Sequence, residues 1–265
     1  MSSKTRIVLS PHYDDAALSC GGALAQLRDA GEPTLVATIF GGKPDYADLS
    51  PFAQTIHARP LAEADLIEQR RKEEARALRV LGAPGVAADF LDAIYRRDPA
   101  DGRWLYDSEA ALFGAVDAAD EPLVEEIARW VAALSHPAAC ILIVPLAIGE
   151  HVDHQVVQRA ALLLEQFGYS LHYFEDYPYI ARRPEGLEER LTWLAQSDRR
   201  QPEHVILPPA VLQRKADAVM AYTSQLEMLF PGDGDLRGRV LEALEAQAYA
   251  TGEQIPAERY WETWG

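Results

Sequence analysis

The feature that most restricts the fold is the hexapeptide Cys140–Pro145 (CILIVP), an unbroken apolar run. A strand with no polar side must be covered on both faces, as strands of parallel sheets are when helices pack above and below them. The rest of the chain repeats the same alternation. Short apolar or β-branched runs at residues 6–10, 34–40, 86–91, 170–175 and 204–207 predict further strands. Segments of helical period at 15–30, 61–81, 122–135, 153–167, 210–229 and 236–249 predict helices between and after them. Gly82 follows the second helix as a C-terminal cap, and Pro122 stands in the first turn of the third, where proline is tolerated. The pattern predicts an α/β fold, a Rossmann-like and mostly parallel sheet flanked by helices.

Two stretches fall outside this rhythm. Residues 41–60 are rich in Gly, Pro and polar side chains, and residues 98–120 are irregular but carry Trp104, Tyr106 and Phe113. Loops this long in a compact domain usually border a site, so both are expected at the rim of the pocket. With no internal repeat or linker, the 265 residues read as one domain.

Charge narrows the list of partners. The formal net charge of −16 repels a phosphate backbone, which argues against nucleic acid. Only two cysteines occur, Cys20 and Cys140, and no stretch has the length of a signal peptide or a membrane span. A cytoplasmic protein is expected, and a homo-oligomer is compatible with the sequence.

Metal-binding residue types concentrate in two places. Ser10-Pro11-His12-Tyr13-Asp14-Asp15 follows the first strand, and Gly149-Glu150-His151-Val152-Asp153-His154 follows CILIVP. Ligand sites of open α/β sheets lie in the crevice beyond the carboxyl ends of the strands, so the two clusters can meet there. In the first, adjacent carboxylates point apart: one can face a metal and the other the water on it, or one can cap the following helix. In the second, His151 and His154 stand three apart, which puts both rings on one helical face. Imidazole together with carboxylate suits zinc.

SPHYDDAALSCGG resembles the PHPDDE-type opening of the PIG-L/LmbE-like deacetylases, and HVDH resembles that family's HxDH signature. Arg71-Lys72-Glu73-Glu74 with Leu81-Gly82, and the pair Gly21-Gly22, are similar to further family features. The resemblance implies a Zn2+ enzyme (another divalent metal would fit the same ligands) that hydrolyses the N-acetyl or short N-acyl group of a small amino-sugar-containing molecule. It implies His12, Asp15 and His154 as metal ligands and Asp14 as general base. It further implies His151 as a catalytic histidine, protonated beside an orienting Asp153, and Arg71 as a substrate contact. Two positions depart from the family motif. Ala16 stands where Glu is usual, and Tyr13 replaces Pro and is expected to put a bulky ring beside the metal.

Two histidines and one carboxylate leave a zinc coordination position open for water, the mark of a catalytic site. Three rival readings are weaker. A dinucleotide-binding oxidoreductase lacks G-x-G-x-x-G in its first βα turn, where two carboxylates would repel a pyrophosphate. A two-metal phosphoesterase needs more ligands than these. A metal- or glycan-binding module without activity leaves Asp14 unexplained. His57, His136, His172 and His204 lack a partner at ligand spacing. Trp193, Trp261 and Trp264 read first as packing residues.

Overall fold

A computed structural model describes residues 3–58, 65–195 and 200–263. Strand β1 (Thr5–Ser10) enters the core at once and leads into helix α1 (Asp15–Asp29), followed by β2 (Thr34–Thr38). Two helices, α2 (Pro51–His57) and α3 (Leu66–Leu81), precede the short β3 (Gly85–Ala87). Next come the single-turn α4 (Glu109–Leu112), then α5 (Glu121–Leu134), β4 (Cys140–Pro145), α6 (Val152–Glu165) and β5 (Ser170–Phe174). The C-terminal third carries α7 (Tyr179–Arg182), α8 (Glu185–Ala195), β6 (Arg200–Ile206), α9 (Pro209–Val219), α10 (Leu226–Leu229), α11 (Leu236–Tyr249) and β7 (Ala257–Thr263).

The described strands form one sheet in the order β3-β2-β1-β4-β5-β7-β6. Pairings from β3 to β5 are parallel, with Ile7 opposite both Leu35 and Leu142, whereas β7 runs antiparallel to β5 and β6. The chain leaves β1 in one direction to build β2 and β3 and returns to its other side for β4. The switch point between β1 and β4 therefore opens a crevice at their carboxyl ends. CILIVP is the central β4, and four of its last five residues are buried, as a strand covered on both faces requires.

Each face of the sheet carries its own core. One is built from α1, α3, α9 and α11 around Leu18, Leu24, Leu81 and Tyr222. The other is built from α5 and α6 around Ile127, Leu142, Val157 and Tyr173. A third cluster lies beyond the strand ends, where Tyr13, Ile67, Ile94, Tyr95 and Tyr106 knit the long connections together. That cluster makes the connections a rigid roof over the crevice.

Several elements differ from the sequence expectation. Residues 41–60 contain α2, opened by Ser50, whose side chain accepts from Ala53 N, and by a proline in the first turn. Helix α3 is described from Leu66, and the expected residues 61–64 lie outside the described set. Gly82 does close it, in the left-handed conformation at φ 75°. The segment expected as one helix over 210–229 is α9 and α10 separated by a turn. Helix α8 and strand β7 had no counterpart in the reading, and β6 begins earlier than residue 204. No described helix is long and apolar enough to cross a membrane.

Candidate metal centre and its cavity

The turn after β1 is shaped by one unusual residue. Asp14 has φ 102° and ψ −37°, a region that costs a non-glycine residue of order 1–3 kcal/mol. The kink sends neighbouring carboxylates in different directions. Asp14 turns toward α3, with its Oδ1 3.3 Å from Arg70 Nη2, while its amide donates to Glu74 Oε2. Asp15 turns inward, and its Oδ2 accepts the His12 backbone N–H at 2.8 Å. The same oxygen lies 3.4 Å from His12 Nδ1 and 3.4 Å from His154 Nε2.

His12 Nδ1, Asp15 Oδ2 and His154 Nε2 thus converge as one carboxylate and two imidazole donors, close enough to share an ion. The remaining nitrogen of each ring is committed elsewhere. His12 Nε2 is 2.8 Å from Asp153 Oδ2, and His154 Nδ1 is 2.6 Å from Asp176 Oδ1. Carboxylates behind metal-binding histidines fix the ring orientation and raise the basicity of the inner nitrogen. His154 Nε2, in contrast, is buried with no hydrogen-bond partner. A buried, aimed and unsatisfied nitrogen is costly unless something binds it, and a divalent cation fits these donors. A second grouping, His12, His151 and Asp153, also comes close enough to hold an ion. Asp153 is already saturated by Arg96 Nη1 at 2.6 Å, Ala93 N at 3.0 Å and His12, so this grouping has no free carboxylate.

Protonation points the same way. Against the desolvation of burial, the carboxylates of Asp15 and Asp176 push His154 up to about 9. His12 is likewise raised well above the usual histidine range, against burial, by Asp92, Asp15 and Asp153. Asp14 behaves differently: burial pushes it up to about 7, with Arg70 pulling it down and Asp15 pushing it up. A carboxyl tuned to that range suits a general base near neutral pH.

Several expectations change on inspection. Asp153 was expected to orient His151, but its carboxylate serves His12 and Arg96. His151 instead accepts the Asp153 backbone N–H on Nδ1 at 3.2 Å, which leaves the ring hydrogen on Nε2. Burial, with the neighbouring His12 and His154, pushes His151 well below the usual range, against the protonated ring expected. Arg71 also moves out of the site. Its side chain is half exposed, pairs loosely with Glu68, and lines a separate cavity on the far side of Tyr13. Arg70 lines the metal cavity instead, donating to Tyr13 O at 2.7 Å, with its buried Nε unpartnered. Tyr13 does not narrow the site either, because its ring packs into the third cluster with its hydroxyl toward Gly41 O.

Four residues were missed by sequence reasoning. Asp176 follows β5 and holds both His154 Nδ1 and Ile148 N. Asp92 caps the turn at residues 93–95 and lies 3.5 Å from His12 Nε2. Arg96 neutralises Asp153 and Asp120. Tyr179 opens α7 and packs edge-on against His154 at 5.4 Å and Phe113 at 5.8 Å. Gly149 is what admits that ring, since a Cβ there would lie 2.3 Å from Tyr179 Cγ.

The metal centre forms the floor of a cavity of about 360 Å³. Residues from both long connections line it, among them Phe52 and Ile56 from the first, and Glu109, Leu112 and Phe113 from the second.

Comparison with known proteins agrees with this geometry. The family model described as GlcNAc-PI de-N-acetylase, PIG-L, matches residues 7–164, which contain the strands and turns of the metal centre. The 2'-N-acetylparomamine deacetylase of Niallia circulans is 31% identical, covering 89% of this chain and 87% of that protein. Its namesake from Streptomyces fradiae is 30% identical, over 83% of this chain and 73% of that protein. Among solved structures, the zinc-inhibited form of teicoplanin deacetylase Orf2 is 28% identical, covers 97% of both chains and superposes with a TM-score of 0.78.

Proposed function

Because this chain belongs to the PIG-L family of GlcNAc-PI de-N-acetylases, we propose that it is a metal-dependent hydrolase that removes an N-acetyl group from an amino-sugar-containing small molecule. The carrying observation is the convergence of His12 Nδ1, Asp15 Oδ2 and the unpartnered His154 Nε2 beside an ionisable Asp14. Deacetylases of N-acetylparomamine and of teicoplanin among the relatives support the reaction and the substrate type.

His12, Asp15 and His154 would hold the metal, assigned as zinc because a donor set of two imidazoles and one carboxylate favours it. When bound, it supplies Lewis acidity toward an amide carbonyl and lowers the pKa of water beside it. Asp14, on the outer side of that centre, takes the proton from the attacking water. Its pKa of about 7 lets it hold that proton and pass it on to the departing nitrogen. His151 donates its Nε2–H to the carbonyl oxygen as negative charge develops there. Tyr179, which lines the same cavity, supplies a hydroxyl as a second donor. Arg70 favours the ionised form of Asp14. The products are acetate and a free amino sugar. We assign the enzyme to the cytoplasm, a reading supported by its two free, buried cysteines.

The test is direct. Metal-loaded protein is offered a panel of N-acetylated amino sugars and their conjugates, and new primary amine is measured alongside acetate. Equimolar amine and acetate, abolished by chelator and restored by zinc, is the expected result. Zinc-loaded protein that releases neither from any member of the panel refutes the proposal.

A further inference from the structure

The stretch Arg71-Lys72-Glu73-Glu74 on α3 ends in two glutamates that are both buried. A buried carboxylate is costly unless hydrogen bonds hold it. Glu73 is held fully. Its Oε1 accepts from Thr223 Oγ1 and Ser224 N and its Oε2 from Ser224 Oγ, which pins the turn after α9 to α3. Glu74 is held incompletely. Its Oε2 accepts from the Tyr222 hydroxyl and from Asp14 N at 3.3 Å, while its Oε1 is buried without a partner. Glu74 lines the cavity behind Tyr13 and not the one above the metal centre, so its link to the site runs through Asp14.

What Glu74 holds is one side of a peptide plane. Arg70 stands one helical turn earlier on the same face of α3 and donates from Nη2 to Tyr13 O at 2.7 Å. Tyr13 O and Asp14 N belong to the same peptide unit. Helix α3 therefore meets its oxygen with a guanidinium and its N–H with a carboxylate. The strain at Asp14 lies in this plane. Turning the peptide by half a revolution carries Asp14 from φ 102° to about −80°, where ordinary residues are at ease. The same turn brings the oxygen toward the Glu74 carboxylate and the N–H toward the Arg70 guanidinium. Both contacts are repulsive, and in a buried place they are weakly screened. The two charges of α3 thus oppose the relaxation that the backbone favours.

Resting on the deacetylase reading above, we propose that Glu74 is a positioning residue: by accepting the Asp14 N–H, braced by Tyr222, it locks the Tyr13–Asp14 peptide and so aims the Asp14 carboxylate. Without that acceptor the turn relaxes and the base shifts. A misplacement of about 1 Å at a reacting group can cost about 10²-fold in rate. The three ligands keep their own anchors, since Asp15 accepts from His12 N, His12 Nε2 meets Asp153 and His154 Nδ1 meets Asp176. The loss therefore falls on kcat and spares the metal.

The test compares Glu74→Met, which keeps the volume and removes the acceptor, with Glu74→Gln, which keeps an oxygen in its place. Zinc-loaded proteins are assayed on N-acetylglucosamine, and zinc is counted by elemental analysis. Glu74→Met is expected to lower kcat by about 10–100-fold with KM and zinc content near those of the parent, and Glu74→Gln to recover most of that loss. In an Asp14→Asn background Glu74→Met should cost less than about twofold more, because the group it positions is already gone. A crystal structure of Glu74→Met should show Asp14 at negative φ. An equal loss in both backgrounds, a Glu74→Gln enzyme as slow as Glu74→Met, a loss of zinc, or an Asp14 that stays at positive φ each overturns the proposal and leaves the deacetylase reading standing. Should Glu74→Met not fold, Tyr222→Phe removes the brace alone. Its smaller loss of kcat must also vanish beside Asp14→Asn, and a Tyr222→Phe enzyme with the parent kcat overturns the proposal. If the parent releases no acetate from N-acetylglucosamine or any other amino sugar, the deacetylase reading falls, and the φ of Asp14 in the variant crystal decides the role of Glu74 by itself.

Discussion

Removing the charge of Arg70 should move the pH dependence of catalysis in a direction fixed by the geometry. Arg70 Nη2 lies 3.3 Å from Asp14 Oδ1, and both side chains are largely buried. Coulomb's law at an effective dielectric of about 20 puts that attraction near 5 kcal/mol as a ceiling. Desolvation of both groups and the other nearby charges reduce it, and a single opposite charge at this range usually lowers a carboxyl by about one to three units. The sign follows from the role. A general base works only when ionised, so activity falls as pH drops through the Asp14 pKa, which burial already holds at about 7. Arg70 pulls that value down, and Arg70→Met must push it up. The acidic limb of kcat/KM should therefore shift upward by about one to two units, a loss of roughly 10–100-fold at about pH 6 that shrinks as pH rises. Arg70→Lys, which keeps a charge, should shift it less. Metal content is checked by elemental analysis, and both enzymes carry the same metal. An acidic limb that stays in place, or moves to lower pH, with metal intact would falsify the pairing of Arg70 with the base.

Asp15→Ala and His154→Ala should lose bound metal and all activity by elemental analysis and amine assay. Asp14→Asn should keep the metal while its rate falls by roughly 10²–10⁴-fold, the usual worth of a positioned base; the reverse pattern would exchange the two aspartates. Asp176→Asn leaves all three ligands in place but unlocks the His154 ring, so metal affinity in a competition titration should drop by about 10–100-fold. Since carboxylates hold His154 near about 9 in the metal-free protein, loading at neutral pH must expel that proton. Apparent affinity should then rise with pH from about 6 toward about 9, and calorimetry in buffers of different ionisation enthalpy should register proton release. A pH-independent affinity would contradict the protonated cluster.

The elements read correctly from the sequence were those whose burial repeats along the chain. CILIVP and the helices facing it bury residues at regular spacing, and that spacing is what a sequence displays. The elements missed have irregular patterns with local causes. Strand β7 buries Glu258, an acid that no pattern would send inward, because Lys215 Nζ meets it at 2.7 Å and the Gly22 and Ala23 amides donate to it. Strand β6 contains Pro202, which argues against a strand until β6 proves to be the edge of the sheet, where a missing N–H costs nothing. Helix α2 could have been found. Ser50-Pro51 is a cap followed by a first-turn proline.

The site divides in a similar way. Its inner residues announced themselves by clustering, whereas Asp92, Asp176 and Tyr179 each stand alone in sequence and are recruited because they follow β3 and β5, parallel strands of the same sheet as β1 and β4. Asp176 had one faint signal, a carboxylate directly after a strand on the active edge. Asp153 is more instructive, since the side chains it bonds lie on other segments of the chain. His151 and His154 are separated by three positions and share a face, with ring centroids 5.4 Å apart. Asp153 is two positions from His151, which on a helix points it to another side. Its carboxylate lies near the His151 ring without bonding to it, and it reaches across the switch point to the turn after β1. There it finds His12 Nε2, with Arg96 behind it supplying the positive charge that lets a carboxylate with no solvent exposure remain ionised. The HxDH spacing therefore sets two groups to two tasks: His154 turns to the Asp15 carboxylate, and Asp153 fixes the ring of His12 on the other strand.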